Sequence, residues 1–112
     1  MSHPFYPDFM TSLPEADLPF EGVRGWLSQG AGHQIVFFDI PADAAVPPHS
    51  HGDQWGVVLE GAMELTMNGE TRVFRPGDSY FIPAGVEHGA SFLERTRVMD
   101  VFADGDRYRP KS

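Results

Sequence analysis

Gly77-Asp78-Ser79-Tyr80-Phe81-Ile82-Pro83-Ala84-Gly85-Val86-Glu87-His88 is the stretch whose reading decides the fold. Arg75-Pro76-Gly77-Asp78 forms a turn, Tyr80-Phe81-Ile82 a short strand, and after Pro83-Ala84-Gly85 a further strand runs over 86–92. The same alternation of short β-forming runs and Gly/Pro breaks extends outward in both directions. Upstream, residues 23–27, 34–40 and 53–59 are strands, the second stopped by Pro41 and the third by Glu60-Gly61. Residues 63–67 and 71–74 flank Asn68-Gly69, a pair suited to the positive φ angles of a type I′ hairpin turn. Downstream, 97–102 supplies the last strand. No segment sustains a helical period, so the chain is expected to be all-β, a double-sheet sandwich or barrel.

Length and composition agree with a single such unit. The 112 residues leave no room for a second core, and 41% hydrophobic residues with nine Phe are enough to build one. We divide the chain into an extended N-terminal arm (1–20), a barrel (21–105) and a C-terminal tail (106–112). The arm sets Pro4, Pro7, Pro14 and Pro19 among Phe5, Tyr6, Phe9 and Phe20, so it avoids regular pairing yet carries aromatics that seek burial. It is expected to lie on the barrel or on a neighbouring subunit, and the small size favours a homodimer.

A net charge of −8 argues against nucleic acid and anionic membrane as partners. The first residues lack a basic, apolar leader and no run is long enough to span a bilayer, so a cytoplasmic protein is expected. Without cysteine there are neither disulfides nor thiolate sites, and any metal must be held by nitrogen and oxygen.

Such donors are present. His49-Ser50-His51 follows Pro47-Pro48, which reads as a strand starting at a sheet edge or barrel mouth. On a strand, residues i and i+2 share a face, so the two imidazoles can share one ion. A donor just downstream (Gln54 or Asp53) and His88 from a distant strand would complete a mononuclear centre with open positions. Alternation places Gln54, Gly56 and Val58 on one face, with Gly56 leaving space beside the metal. His3, in the arm, and His33, in a turn, do not fit a ligand set.

In these residues the chain resembles the cupins. Their first motif, His-x-His followed by an acidic or amide ligand, six intervening residues and then a Gly, is matched by His49, His51, Gln54 and Gly61. Their second, Gly-x5-Pro-x-Gly-x2-His-x3-Asn, is matched by Gly77, Pro83, Gly85 and His88, with Phe92 at the Asn position as a packing change. The resemblance covers residues 20–105 and implies a jelly-roll-like cupin barrel. The step from His51 to Gln54 is shorter than the usual pattern, which makes Asp53 a rival third ligand, while the spacing to Gly61 favours Gln54. The set His49, His51, Gln54 and His88 is neutral, so a divalent ion (Fe, Mn, Ni, Co or Zn) keeps its full charge and acts as a stronger Lewis acid than beside a carboxylate.

Asp100 and Phe102 share a face of the last strand, the cavity side in this fold. Asp100 reads either as a general acid/base or as a structural carboxylate, and Arg107 either as a clamp for a substrate carboxylate or as an exposed tail residue. Asp-x-Phe followed by a nearby Arg is similar to the small cupins that open unsaturated uronates, which use three His and one Gln. That resemblance implies conversion of a cyclic 4,5-unsaturated monouronate to its linear keto form. Asp100 would move protons, the metal would hold substrate oxygens, and Arg107 would hold the carboxylate. Here Arg107 comes one residue late and Ala103-Asp104-Gly105-Asp106 replaces a Pro-rich connection. A dioxygenase and a non-catalytic binding barrel are the competing readings. Trp26, Phe37 and Phe81 are assigned to the core or the cavity wall, the side on which Tyr80 points is left open, and Glu87 is expected to be exposed.

Overall fold

The computed structural model describes residues 2–111, in which the short runs become nine strands and one helical turn. The turn, α1, spans Asp8–Thr11. The strands are β1 (Arg24–Gln29), β2 (Gln34–Ile40), β3 (Ala45–His49), β4 (Gln54–Glu60), β5 (Met63–Met67), β6 (Glu70–Phe74), β7 (Ser79–Ile82), β8 (His88–Phe92) and β9 (Thr96–Phe102). Every pairing is antiparallel, in a five-stranded sheet ordered β1-β2-β9-β4-β7 and a four-stranded sheet ordered β3-β8-β5-β6. The two sheets face each other as a jelly-roll sandwich.

Local chemistry explains the joints. Asn68 and Gly69 take φ of 53° and 77°, the expected type I′ geometry, which closes β5 onto β6 in register from Met63↔Phe74 to Met67↔Glu70. Gly61 turns the chain between β4 and β5 at φ 92°, and any Cβ there would strike the Arg95 carbonyl and Thr96. Between the sheets, alternate residues such as Val36, Val58, Leu65, Ile82, Val98 and Phe102 are almost fully buried. Phe92, at the variant motif position, is buried among them as a packing residue.

The arm lies on the barrel. Tyr6 is buried, donates its hydroxyl to the Phe38 carbonyl at 2.7 Å, and sets its ring against Trp26 and Phe37. The arm is less extended than its prolines imply: Pro7 precedes α1, whose four residues are too few to show a period in the sequence. Phe9 on that turn stays largely exposed. Beneath the arm Asp39 is buried against Arg97 Nε (2.8 Å), His3 Nε2 (2.9 Å) and Arg95 Nε (3.1 Å), and Arg97 also bonds Glu60. Residues after β9 double back: Tyr108 exchanges two hydrogen bonds with the buried Gln34 side chain, and Pro110 bridges Ala16 of the arm.

Candidate metal centre

His49 ends β3 and His88 begins β8, and the two are register partners across the pair. The sequence reading put the start of a strand at the His pair. Instead the strand starts at Ala45, carries Pro47 and Pro48 within it, and stops at His49. Edge position makes this possible, because β3 bonds a neighbour on one side only and the prolines' missing N–H groups can face outward. His51 therefore sits in a loop, and period-two alternation does not aim it. Its backbone does: the His51 carbonyl accepts from Gly85 N–H at 2.9 Å, and Gly52 N–H donates to Asp104 Oδ2 at 2.8 Å. Asp104, which sequence reasoning passed over, thus fixes the loop from 52 residues away.

The three imidazoles converge, with ring centroids 4.3 to 5.2 Å apart and one potential ligand nitrogen from each within 4.8 Å of the others. Each Nδ1 lies at hydrogen-bond distance from a backbone carbonyl: His49 from Pro47 (2.9 Å), His51 from Gly52 (2.9 Å) and His88 from Val86 (3.0 Å). A carbonyl can only accept, so each Nδ1 carries the proton and each Nε2 is left with a lone pair. The Nε2 of His51 is buried with no partner. Burial holds His51 and His88 below the ordinary imidazole range, and the charge of Arg107 adds to this, which keeps them in the neutral form that binds metal. Three fixed lone pairs around one point, one of them orphaned, fit a divalent ion.

Gln54 opens β4 and is buried on the same cavity wall. Asp53 is turned away: it is exposed, and its Oδ1 accepts from Ala84 N–H at 2.7 Å, capping the loop that leads to His88. Behind Gln54, the buried Tyr80 hydroxyl donates to Asp100 Oδ1 at 2.6 Å. Gly56 lies between them in register, opposite Asp100 on β9 and Tyr80 on β7. The sequence reading gave the space at Gly56 to the metal. The structure gives it to this pair, since any Cβ at 56 would run into Asp100 Oδ1 and the Tyr80 ring. Burial pushes the Asp100 carboxyl up to about 6, against the pull of its hydrogen bonds from Tyr80 and Gln54. Burial, reinforced by the Asp100 charge, pushes the Tyr80 phenol well above its ordinary value.

These groups form the polar wall of a cavity of about 70 Å³. The other wall is apolar, including Phe38, Ile40, Leu65 and Phe92, and neither Arg nor Lys lines the cavity. Arg107 stands outside that lining, with its guanidinium 4.3 Å from the Tyr108 ring centre and its Nε buried without a partner. Tyr108, also passed over, lines the cavity and packs edge-on against Phe102. Trp26, Phe37 and Phe81 are not cavity residues. All three alternate to the outer face, where the arm buries Trp26 and Phe81 is 53% exposed. Arg24 pairs with Glu15, Glu87 is exposed, His3 serves Asp39, and His33 lies outside the histidine cluster.

The cupin-domain family model matches residues 36–102. No curated protein sequence matches significantly. Among solved structures, KdgF from Halomonas sp. is 31% identical over 78% of this chain and 83% of its own, with a TM-score of 0.71. An RmlC-like cupin from Shewanella frigidimarina NCIMB 400 is 24% identical, covering 95% and 94% of the two chains at a TM-score of 0.76. A conserved protein of unknown function from Streptococcus pyogenes is 21% identical, covering 100% and 93% at 0.66. The last two show likeness of fold alone.

Proposed function

The chain belongs to the cupin family, and from that premise we propose that it is a metal-dependent enzyme opening a cyclic 4,5-unsaturated uronate to its linear keto form. One observation carries this reading: a buried carboxylate, Asp100, sits behind Gln54 on the wall that also holds His49, His51 and His88. His49, His51, His88 and Gln54 would hold a divalent transition metal. When bound, the ion supplies Lewis acidity toward substrate oxygens, undiminished by any anionic ligand.

The residues of the chain then account for the proton traffic. Ring opening is an isomerisation: a proton leaves the anomeric hydroxyl as the ring C–O bond breaks, and a proton is returned to carbon as the enol becomes a ketone. Asp100, buried and raised into a range where it can both accept and release, is suited to carry it. Tyr80 donates to one Asp100 oxygen and so fixes the carboxylate plane. Arg107 supplies a cation at the edge of a cavity that holds none, and its unpartnered Nε suits a substrate carboxylate. Likeness to KdgF from Halomonas sp. and the uronate-type ending Asp100-Val101-Phe102 support the same substrate class. A cytoplasmic location and a carboxylate-bearing sugar as ligand belong to this reading.

The test is loss of ultraviolet absorbance from 4,5-unsaturated galacturonate with metal-loaded protein. We expect decay well above the spontaneous rate, and at least about a hundredfold loss in Asp100→Asn with metal content unchanged. Decay no faster than without protein would reject the substrate. Full activity in Asp100→Asn would reject the proton carrier. Turnover that persists with zinc under anaerobic conditions would set aside the oxygen-consuming alternative.

A further inference from the structure

Only Gly52 and Asp53 stand between His51 and Gln54, so the loop that carries His51 is too short to hold itself and is gripped from two sides. On one side, the turn that leads to His88 donates Gly85 N–H to the His51 carbonyl at 2.9 Å and Ala84 N–H to Asp53 Oδ1 at 2.7 Å. On the other, the segment leaving β9 takes two more groups. Asp104 Oδ2 accepts from Gly52 N–H at 2.8 Å, and Ala103 N–H donates to the Asp53 carbonyl at 2.9 Å. Gly52 does not take a positive φ, so turn geometry does not require glycine there. The Asp104 carboxylate does: a Cβ at 52 would lie 2.5 Å from its Oδ1. The Gly52 carbonyl in turn accepts from His51 Nδ1, and the far nitrogen of that ring, Nε2, is buried without a partner among the described residues. The same segment continues into the cavity. The Gly105 carbonyl accepts from Gln29 at 2.7 Å, the Tyr108 backbone is bonded twice to the Gln34 side chain, and the Tyr108 ring lines the cavity.

We propose, resting on the reading of the three imidazoles and Gln54 as a metal centre, that residues 103–108 form a strap coupling that centre to the cavity wall, with Asp104 the positioning residue for His51. Through Gly52, Asp104 holds the backbone from which the His51 ring projects, so the ring does not have to be ordered by the incoming ion. A preorganised ligand binds metal more tightly, and groups behind a ligand typically set affinity by about 10–100-fold. Linkage runs both ways: if a docked strap favours the ion, a bound ion favours the docked strap by the same factor. Metal loading therefore also steadies Tyr108, and with it the Arg107 guanidinium stacked 4.3 Å from its ring centre, before any substrate arrives.

Zinc affinity measured by titration calorimetry on the full chain, with no substrate present, tests the coupling. Asp104→Ala should weaken zinc binding at least about tenfold, and Gly52→Ala, which evicts the carboxylate without removing its charge, should do the same. Both break one contact, so the double variant should bind about as well as the weaker single variant. Asp104→Asn, whose amide oxygen still accepts from Gly52, should stay within about threefold of wild type. Hydrogen exchange reads the reverse direction at the Tyr108 amide, which donates to Gln34. Zinc should raise its protection at least about tenfold in wild type, and saturating zinc should fail to do so in Asp104→Ala. Circular dichroism checks that each variant is folded, and the two Asp104 variants decide if Gly52→Ala is not. Equal zinc affinity in wild type and Asp104→Ala, Asp104→Asn as weak as Asp104→Ala, additive losses in the double variant, or Tyr108 protection indifferent to zinc would overturn the strap and leave the metal centre standing. A wild type that takes up no zinc would reject the metal centre, and the strap with it.

Discussion

Gly56→Ala is a one-methyl change whose cost can be worked from the structure. Gly56 sits on β4 opposite Asp100 of β9 and Tyr80 of β7, and those two side chains meet above it in a 2.6 Å hydrogen bond. A Cβ at 56 would overlap both Asp100 Oδ1 and the phenol end of Tyr80. Neither can swing aside easily, because both are buried and Tyr80 is flanked by Phe74. Overpacking at such a site costs about 1–3 kcal/mol, and pulling the buried carboxylate from its donor adds about 1–2 kcal/mol. A total of about 2–5 kcal/mol lowers the melting temperature of a domain this size by roughly 10–25 °C. Metal binding should persist, since the His49, His51 and His88 imidazoles do not touch the added methyl. The assay is a calorimetric melt of wild type and variant, with metal content measured on the same samples. A melting temperature within about 4 °C of wild type would mean that Asp100 and Tyr80 yield freely, refuting the claim that Gly56 exists to seat them.

His88→Ala removes one of three converging lone pairs, so metal retained after dialysis, measured by mass spectrometry, should fall at least about tenfold. Gln54→Ala should also weaken retention while Asp53→Ala leaves it intact, and the reverse order would reinstate Asp53 as the donor. Asp39→Asn strips the carboxylate that three cationic or hydrogen-bonding side chains share beneath the arm, leaving Arg97 buried with Glu60 alone. Urea denaturation should show a loss of about 2–4 kcal/mol, and an unchanged midpoint would deny the network a structural role. Hydrogen bonding from Arg24, with help from Lys111, holds Glu15 down at about 2 from an ordinary 4.5. A depressed carboxylate stabilises the fold fully above 4.5 and loses that contribution as pH falls toward 2. Glu15→Gln should therefore melt below wild type at pH 7, and the two curves should merge near pH 2. With exposed partners the gap stays under about 1 kcal/mol, and a gap that grows on acidification would contradict the linkage.

The sequence by itself determined what depends on local rules. Strand periodicity, turn residues and the Asn68-Gly69 hairpin gave an all-β sandwich with β2 and β5 bounded as expected. The two spaced motifs named His49, His51 and His88, because motif spacing records which residues a fold brings together even when the path between them is unread. Tertiary structure decided what depends on non-neighbours. His51 is aimed by Asp104 and Gly85 rather than by strand alternation, so a period-two argument found the right residue for the wrong reason. Tyr80 could not be placed inside or outside from four residues of strand, and its partnership with Asp100 arises from register across β7, β4 and β9. Phe81, one residue later, was expected inside and lies outside for the same reason: alternation fixes opposite sides for neighbours, but only packing of the second sheet decides which side is in. The tail residue Tyr108 reaches the cavity through Gln34, 74 positions earlier, a contact with no local signature. Short-range sequence sets the strands and lists the donors, whereas the aim of each side chain is a property of the closed barrel.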